Sequence, residues 1–162
     1  MAPIADILSA AALDREALRA EVSDPAAGAV LLFEGTVRDH SEGLTGVVAL
    51  EYEAHVSMAV RIIAGILEEV RGEIPVRKIA VRHRLGRVEL GEPTILIAVS
   101  AAHRDEAYRA SRAVIDRIKH EAPIWKREIL RDGSGTWSKG CTAHRATEEE
   151  VKSQSAKGKV QI

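Results

Sequence analysis

Apolar residues recur along this chain with two different periods, and the switches between them mark its elements. Leu13, Ala17, Leu18 and Val22 share one helical face, which Asp24-Pro25 terminates. Residues 29–39 then read as a strand, and Gly43 and Gly46 flank a turn. A second strand at 47–54 sets Val48, Leu50 and Tyr52 on one face, with Glu51 and Glu53 on the other. Met58, Ala59, Ile62, Ile63, Ile66, Leu67 and Val70 form a broad helical stripe that Gly72 and Pro75 bring to an end. From 76 to 84 the period returns to two, with Ile79 and Val81 inward and Lys78, Arg82 and Arg84 outward. Gly86 and Gly91-Glu92-Pro93 punctuate a tight excursion.

Thr94 to Ala102 is apolar on both faces, the pattern of a central strand. A second main helix from about Asp105 to Glu121 buries Ala107, Ala110, Ser111, Val114 and Ile118; Pro123 ends it and biases Ala122 away from helical backbone. A short strand follows near 126–131. Strand pairs joined by short turns and separated by helices predict an α+β fold, largely antiparallel, with two main helices and an N-terminal helix. Residues 1–137 form the expected single domain. From 138 to 162 the chain is polar and aperiodic, and a mobile tail is expected there.

Composition narrows the classes. A chain of 162 residues suits one domain with a sizeable core, and aromatics at 3% leave that core to Val, Ile, Leu and Ala. Net charge of −1 argues against a general electrostatic grip on nucleic acid or an anionic membrane, so any anion site needs a local cluster of cations. A single cysteine, Cys141, excludes an intrachain disulfide framework and a Cys-rich zinc site. The first residues lack the basic start and apolar run of a signal peptide, and no apolar stretch approaches a membrane span, so a cytoplasmic protein is expected.

Four places set cationic residues at the ends of apolar elements. Arg38 closes the strand at 29–39, in line with Val30, Leu32, Glu34 and Thr36, as either a ligand contact or a solvated strand-end arginine. His103-Arg104 stands where the central strand meets the second helix, whose free N–H groups favour an anion; a histidine satisfied by backbone is the other possibility. Lys119 lies at the edge of the helix's apolar stripe, as a partly desolvated reactive amine or as an i,i+3 partner of Asp116. Lys126 follows a proline-stiffened Pro123-Ile124-Trp125 exit that aims it back towards Lys119, unless it is an ordinary strand lysine continued by Arg127 and Glu128. The remaining Glu residues read as solvated faces. No Walker-type loop, dinucleotide fingerprint or Gly-x-Ser-x-Gly elbow is present.

Phe33-Glu34-Gly35-Thr36-Val37-Arg38, Leu50-Glu51-Tyr52-Glu53, His83-Arg84-Leu85-Gly86, Ala102-His103-Arg104 and Pro123-Ile124-Trp125-Lys126-Arg127-Glu128 occur in that order. Together they resemble the molybdopterin synthase large-subunit family, over roughly residues 25–137. The resemblance implies an α/β-hammerhead fold and a sulfurtransferase of molybdenum-cofactor biosynthesis. It implies cyclic pyranopterin monophosphate as substrate, and as sulfur donor a small ubiquitin-like subunit whose C-terminal Gly-Gly ends in a thiocarboxylate. It further implies a homodimer within a heterotetramer, Lys119 and Lys126 as catalytic residues, and Arg38, His103 and Arg104 as substrate contacts. No metal or organic cofactor is implied. His55 departs from the family's pattern, standing where many members carry Tyr. A non-catalytic module using the same cations to hold a phosphorylated ligand or an acidic C-terminal peptide is the alternative, and a structural subunit valued for its dimer face is a third.

Overall fold

The computed structural model describes residues 6–41 and 43–137; the 138–162 segment, with Cys141, lies outside the described residues. Among the described residues two four-stranded sheets, a two-stranded hairpin and three helices make up the fold, an α+β arrangement as the periodicity predicts. The first sheet runs in the order β1 (Leu8–Ser9), β6 (Val76–Arg84), β8 (Pro93–Ala101), β2 (Ala29–Thr36). The second runs β10 (Gly135–Trp137), β9 (Ile124–Leu130), β5 (Val47–Ala54), β7 (Gly86–Glu89). Every pairing is antiparallel except the short β1–β6 contact.

β8 organises the first sheet. All nine of its residues are buried, because both faces are covered. On one face Leu96 and Ala98 join Leu13, Leu18 and Val22 around α1 (Arg15–Glu21). On the other, Ile95, Ile97 and Val99 pack with Ile79 and Val81 beneath α2 (Val56–Glu73) and α3 (Arg104–Glu121). The start of α1 is set by chemistry visible in the chain. Asp14 accepts from Ala17 N at 3.0 Å, and Leu13 and Leu18 meet across the cap as a hydrophobic staple.

Several local expectations change. The strands on either side of the Gly43/Gly46 turn do not pair with each other. β2 ends at Thr36, where a bulge interrupts its pairing with β8; the chain then forms a small hairpin, β3 (His40–Ser41) with β4 (Leu44–Thr45), and passes to the second sheet as β5. Met58 is 39% exposed, because the buried stripe of α2 runs through Ala59, Ile63, Ile66, Leu67 and Val70, one position further round the helix. Arg84 is buried at 8% rather than outward, because the chain reverses at Gly86 into β7, and its Nη2 donates to Arg87 O at 3.0 Å. The Gly91 turn between β7 and β8 needs a left-handed residue, and Gly91 takes φ 82°. His55 acts as the N-cap of α2, its Nδ1 accepting from Met58 N at 3.4 Å.

Since β8 carries both cores, truncating it is the most direct test of this packing. Ile97→Ala, at a fully buried position, is expected to cost about 3 kcal/mol by urea denaturation, within the range for large-to-small core changes. A cost below about 1 kcal/mol would show that Ile97 is not packed as described.

Candidate active site

The two sheets and the end of α3 enclose a cleft of about 380 Å³. Its floor is one face of the second sheet. Tyr52 on β5 stands directly across from Lys126 on β9, and Leu50 across from Glu128, so all four point the same way and all line the cleft. Its walls are the end of β2, the start of β8, and Ile115, Ile118 and Lys119 of α3. Arg38 and His40 close it from the segment that leaves β2.

Each cation is placed by a local feature of the chain. Val37 is 2% exposed and pinned by backbone bonds, its N to Glu92 O at 3.1 Å and its O from Gly91 N at 2.8 Å. Asp39 O accepts from Val47 N at 3.0 Å. Arg38 is therefore held between two anchored neighbours while its own side chain stays exposed. At the far side, α3 stops where Ala122 adopts extended backbone, φ −76° and ψ 131°, as a residue preceding proline favours. Ala122 N still closes the last helical turn onto Ile118 O at 3.0 Å, and Pro123 O accepts from His55 N at 3.2 Å. That short exit carries the chain from Lys119 to Lys126 and sets both amines on one cleft.

Lys119 is exposed rather than partly desolvated, and Asp116 pairs with Arg112 at 2.6 Å instead of with Lys119. Lys126 is half-buried, with its Nζ 3.9 Å from Glu128 Oε1. Glu128 is only 2% exposed, so its assignment to a solvated face is corrected: β9 turns it inward beneath the cleft. Arg127, on the opposite face, pairs with Glu51 across the strands.

His103 and Arg104 lie elsewhere. His103 is the N-cap of α3 with no side-chain capping bond, and both residues are exposed. Arg104 and Lys119 are 15 positions apart on one helix, so about 22 Å separates them along its axis. Within one chain the cleft gathers Arg38, Lys119 and Lys126, and leaves His103-Arg104 at the far end of α3.

Among the cleft residues that carry no role in the sequence reading are His40, Tyr52, His83 and Glu128. His83 had a usable signal, because extending the inward Ile79, Val81 alternation by two brings it inside. It is 7% exposed, donates from Nδ1 to Arg84 O at 2.7 Å, and meets Tyr52 edge-on with ring centres 4.9 Å apart. His40 is exposed and pairs with Asp39 at 2.7 Å, which holds the Asp39 carboxyl below its usual range. Among the described residues no cluster of three or more His, Cys, Asp or Glu has a metal-binding arrangement. The cleft thus offers three fixed cations, a buried carboxylate and two imidazoles, a set suited to an anionic ligand with polar ring groups.

The family model described as MoaE protein matches residues 8–121, and the chain belongs to this family. The molybdopterin synthase catalytic subunit of Nostoc sp. is 42% identical over 128 residues, spanning 78% of this chain and 77% of that one. Its counterpart in Thermoplasma volcanium is 47% identical over 116 residues, spanning 72% and 84%. Among solved structures, molybdopterin synthase from Staphylococcus aureus aligns with a TM-score of 0.75 at 36% identity, over 81% of this chain and 94% of that one. The activity of the chain is that of the catalytic subunit of molybdopterin synthase, a sulfurtransferase of molybdenum-cofactor biosynthesis.

Burial pushes the His83 imidazole down to about 4, with the bond to Arg84 O offsetting only part of the desolvation. The unfolded chain therefore binds more protons than the folded one between pH 6.5 and 4. The contribution of the neutral ring is complete above pH 6.5 and is lost as pH falls towards 4. Between pH 7 and 4.5 this group alone is expected to remove roughly 2–3 kcal/mol of stability. In urea denaturation at those two pH values, His83→Phe should lose less than the wild type by about that amount. Equal losses would contradict the buried neutral ring.

Proposed function

We propose that the cleft binds cyclic pyranopterin monophosphate and receives the thiocarboxylate C-terminus of a small ubiquitin-like subunit, so that sulfur passes between them there. The observation that carries this is the convergence of Arg38, Lys119 and Lys126 on one cleft. A phosphate and a thiocarboxylate repel each other, and fixed cations offset that repulsion while stabilising the oxyanions that form during addition and acyl transfer. The sulfur adds to a side-chain carbon of the pterin, and the oxygen it replaces leaves, as water from the carbonyl-level carbon and as the phosphate oxygen from its neighbour, which opens the cyclic phosphate to a monoester. The thioester so formed is hydrolysed, returning the small subunit as its carboxylate and leaving sulfur on the pterin; a second round completes the dithiolene. Lys119, at the open side, meets the thiocarboxylate and its acyl intermediate. Lys126, steadied by Glu128, supplies a proton or charge to the departing oxygen.

His103 and Arg104 enter this scheme from a second copy of the chain. β2 is an edge strand of its sheet, with Val30 and Phe33 exposed along it, and Tyr108 on the neighbouring α3 is 62% exposed. These apolar groups support a homodimer through that edge, in which the His103-Arg104 pair of one protomer reaches the cleft of its partner. With a small subunit at each end the assembly is a heterotetramer. No helix among the described residues is long and apolar enough to cross a membrane, in keeping with work in the cytoplasm.

Reconstitution with thiocarboxylated small subunit and cyclic pyranopterin monophosphate tests the roles. Lys119→Ala and Lys126→Ala are each expected to slow dithiolene formation by about 100-fold or more, the scale of losing one stabilising charge in a preorganised site. Near-normal turnover by Lys119→Ala would remove it from the chemistry. Lys119→Ala and Arg104→Ala, each inactive alone, are expected to regain about a quarter of wild-type activity when co-refolded, since half of the dimers then carry one intact site. No recovery would place Arg104 outside the shared site.

A further inference from the structure

The remaining polar groups of the cleft divide by what they can do. Arg38, Lys119 and Lys126 only donate hydrogen bonds. Glu128 is almost fully buried and turned towards Lys126. His40 is exposed at the mouth and engaged with Asp39. A pterin, however, presents ring and amino N–H donors beside its acceptors; the uncharged acceptors among the cleft's side chains are the hydroxyls of Thr36, Ser41, Tyr52 and Thr94, which can turn to donate as well, and the free ring nitrogen of His83, which can only accept.

His83 fits that need. It lies in the cleft wall where the two sheets meet, with Ile95 as its partner on β8 and Leu8 as its partner on β1. Tyr52 packs edge-on against the ring from the second sheet. The Arg84 carbonyl accepts from Nδ1, which fixes the tautomer: Nδ1 carries the proton and Nε2 keeps its lone pair. Burial keeps the ring neutral at physiological pH, and of the charged groups that share the cleft, Arg38, Lys119 and Lys126 also disfavour a protonated ring, while Glu128 and the Asp39 of the Asp39–His40 pair are the acids facing it. An imidazole held neutral, oriented by backbone and backed by a ring is a preset acceptor.

We propose that His83 is a substrate-specificity residue that binds an N–H or O–H donor of the pterin through Nε2. This rests on the cleft being the pterin site. It assigns His83 to recognition of the heterocycle, and leaves the phosphate and thiocarboxylate to the cations.

The test is steady-state dithiolene formation with the complete assembly, varying cyclic pyranopterin monophosphate and thiocarboxylated small subunit separately. His83→Phe keeps a ring beside Tyr52 and removes the acceptor. It is expected to raise KM for the pterin about tenfold, the worth of one neutral hydrogen bond, with KM for the small subunit unchanged. His83→Gln, whose amide oxygen can stand near the former Nε2, is expected to hold the pterin KM within about threefold of wild type. A purely structural role would lower the active fraction, and hence the maximal rate, while leaving both KM values where they were. Overturning results are an unchanged pterin KM in His83→Phe, or an equal rise in the Phe and Gln variants. Wild-type assembly that makes no dithiolene, or Lys119→Ala that works normally, would instead strike at the cleft assignment itself.

Discussion

The end of α3 and the start of β9 are joined by one extended step at Ala122-Pro123, and the placement of the site depends on it. Proline removes an N–H and crowds the residue before it, so the helix cannot continue and Ala122 must extend. The chain then enters β9, already in register with β5, at Ile124 opposite Ala54. Lys119 is carried on the last helical turn and Lys126 on the strand, and the geometry between them is fixed by backbone rather than by any contact of the two amines. A flexible linker in the same place would put the same two charges near each other only part of the time.

That step works because the bodies it joins are rigid. β8 is buried on both faces and locks α1 to one side of its sheet and α2 and α3 to the other. The second sheet then supplies the cleft floor through one alternating face, Leu50 and Tyr52 against Glu128 and Lys126. Apolar burial does the positioning, and the polar groups are presented at its margin, where two sheets and a helix end meet. The charge arrangement follows from this: cations on the exposed rim, a buried carboxylate beside one of them, and a neutral imidazole at the back.

Much of this could be read in the chain. The two-faced apolar run from Thr94 to Ala102 announced the central strand, the 3.6-period stripes announced α2 and α3, and Pro123 announced the turn that brings Lys119 and Lys126 together. What could not be read was pairing across long separations. Nothing local says that β2 joins β8 while β5 joins β9, because strand partners are chosen by the whole core. The same limit hid Glu128, whose inward face is set by its register against Leu50, and Arg84, covered only once the Gly86 reversal is in place. The separation of His103-Arg104 from Lys119 was legible too, since the predicted helix from about Asp105 to Glu121 already sets them at its opposite ends.

The central claim is that one cleft, completed by a second copy of the chain, holds the pterin beside both lysines. A crystal structure of the assembly with cyclic pyranopterin monophosphate addresses it without relying on rates. The account predicts the pterin in the cleft, its polar groups within about 3 Å of Lys126 Nζ and the Arg38 guanidinium, and the Arg104 side chain of the neighbouring protomer reaching the same ligand. A pterin bound at His103-Arg104 and remote from both lysines would contradict it.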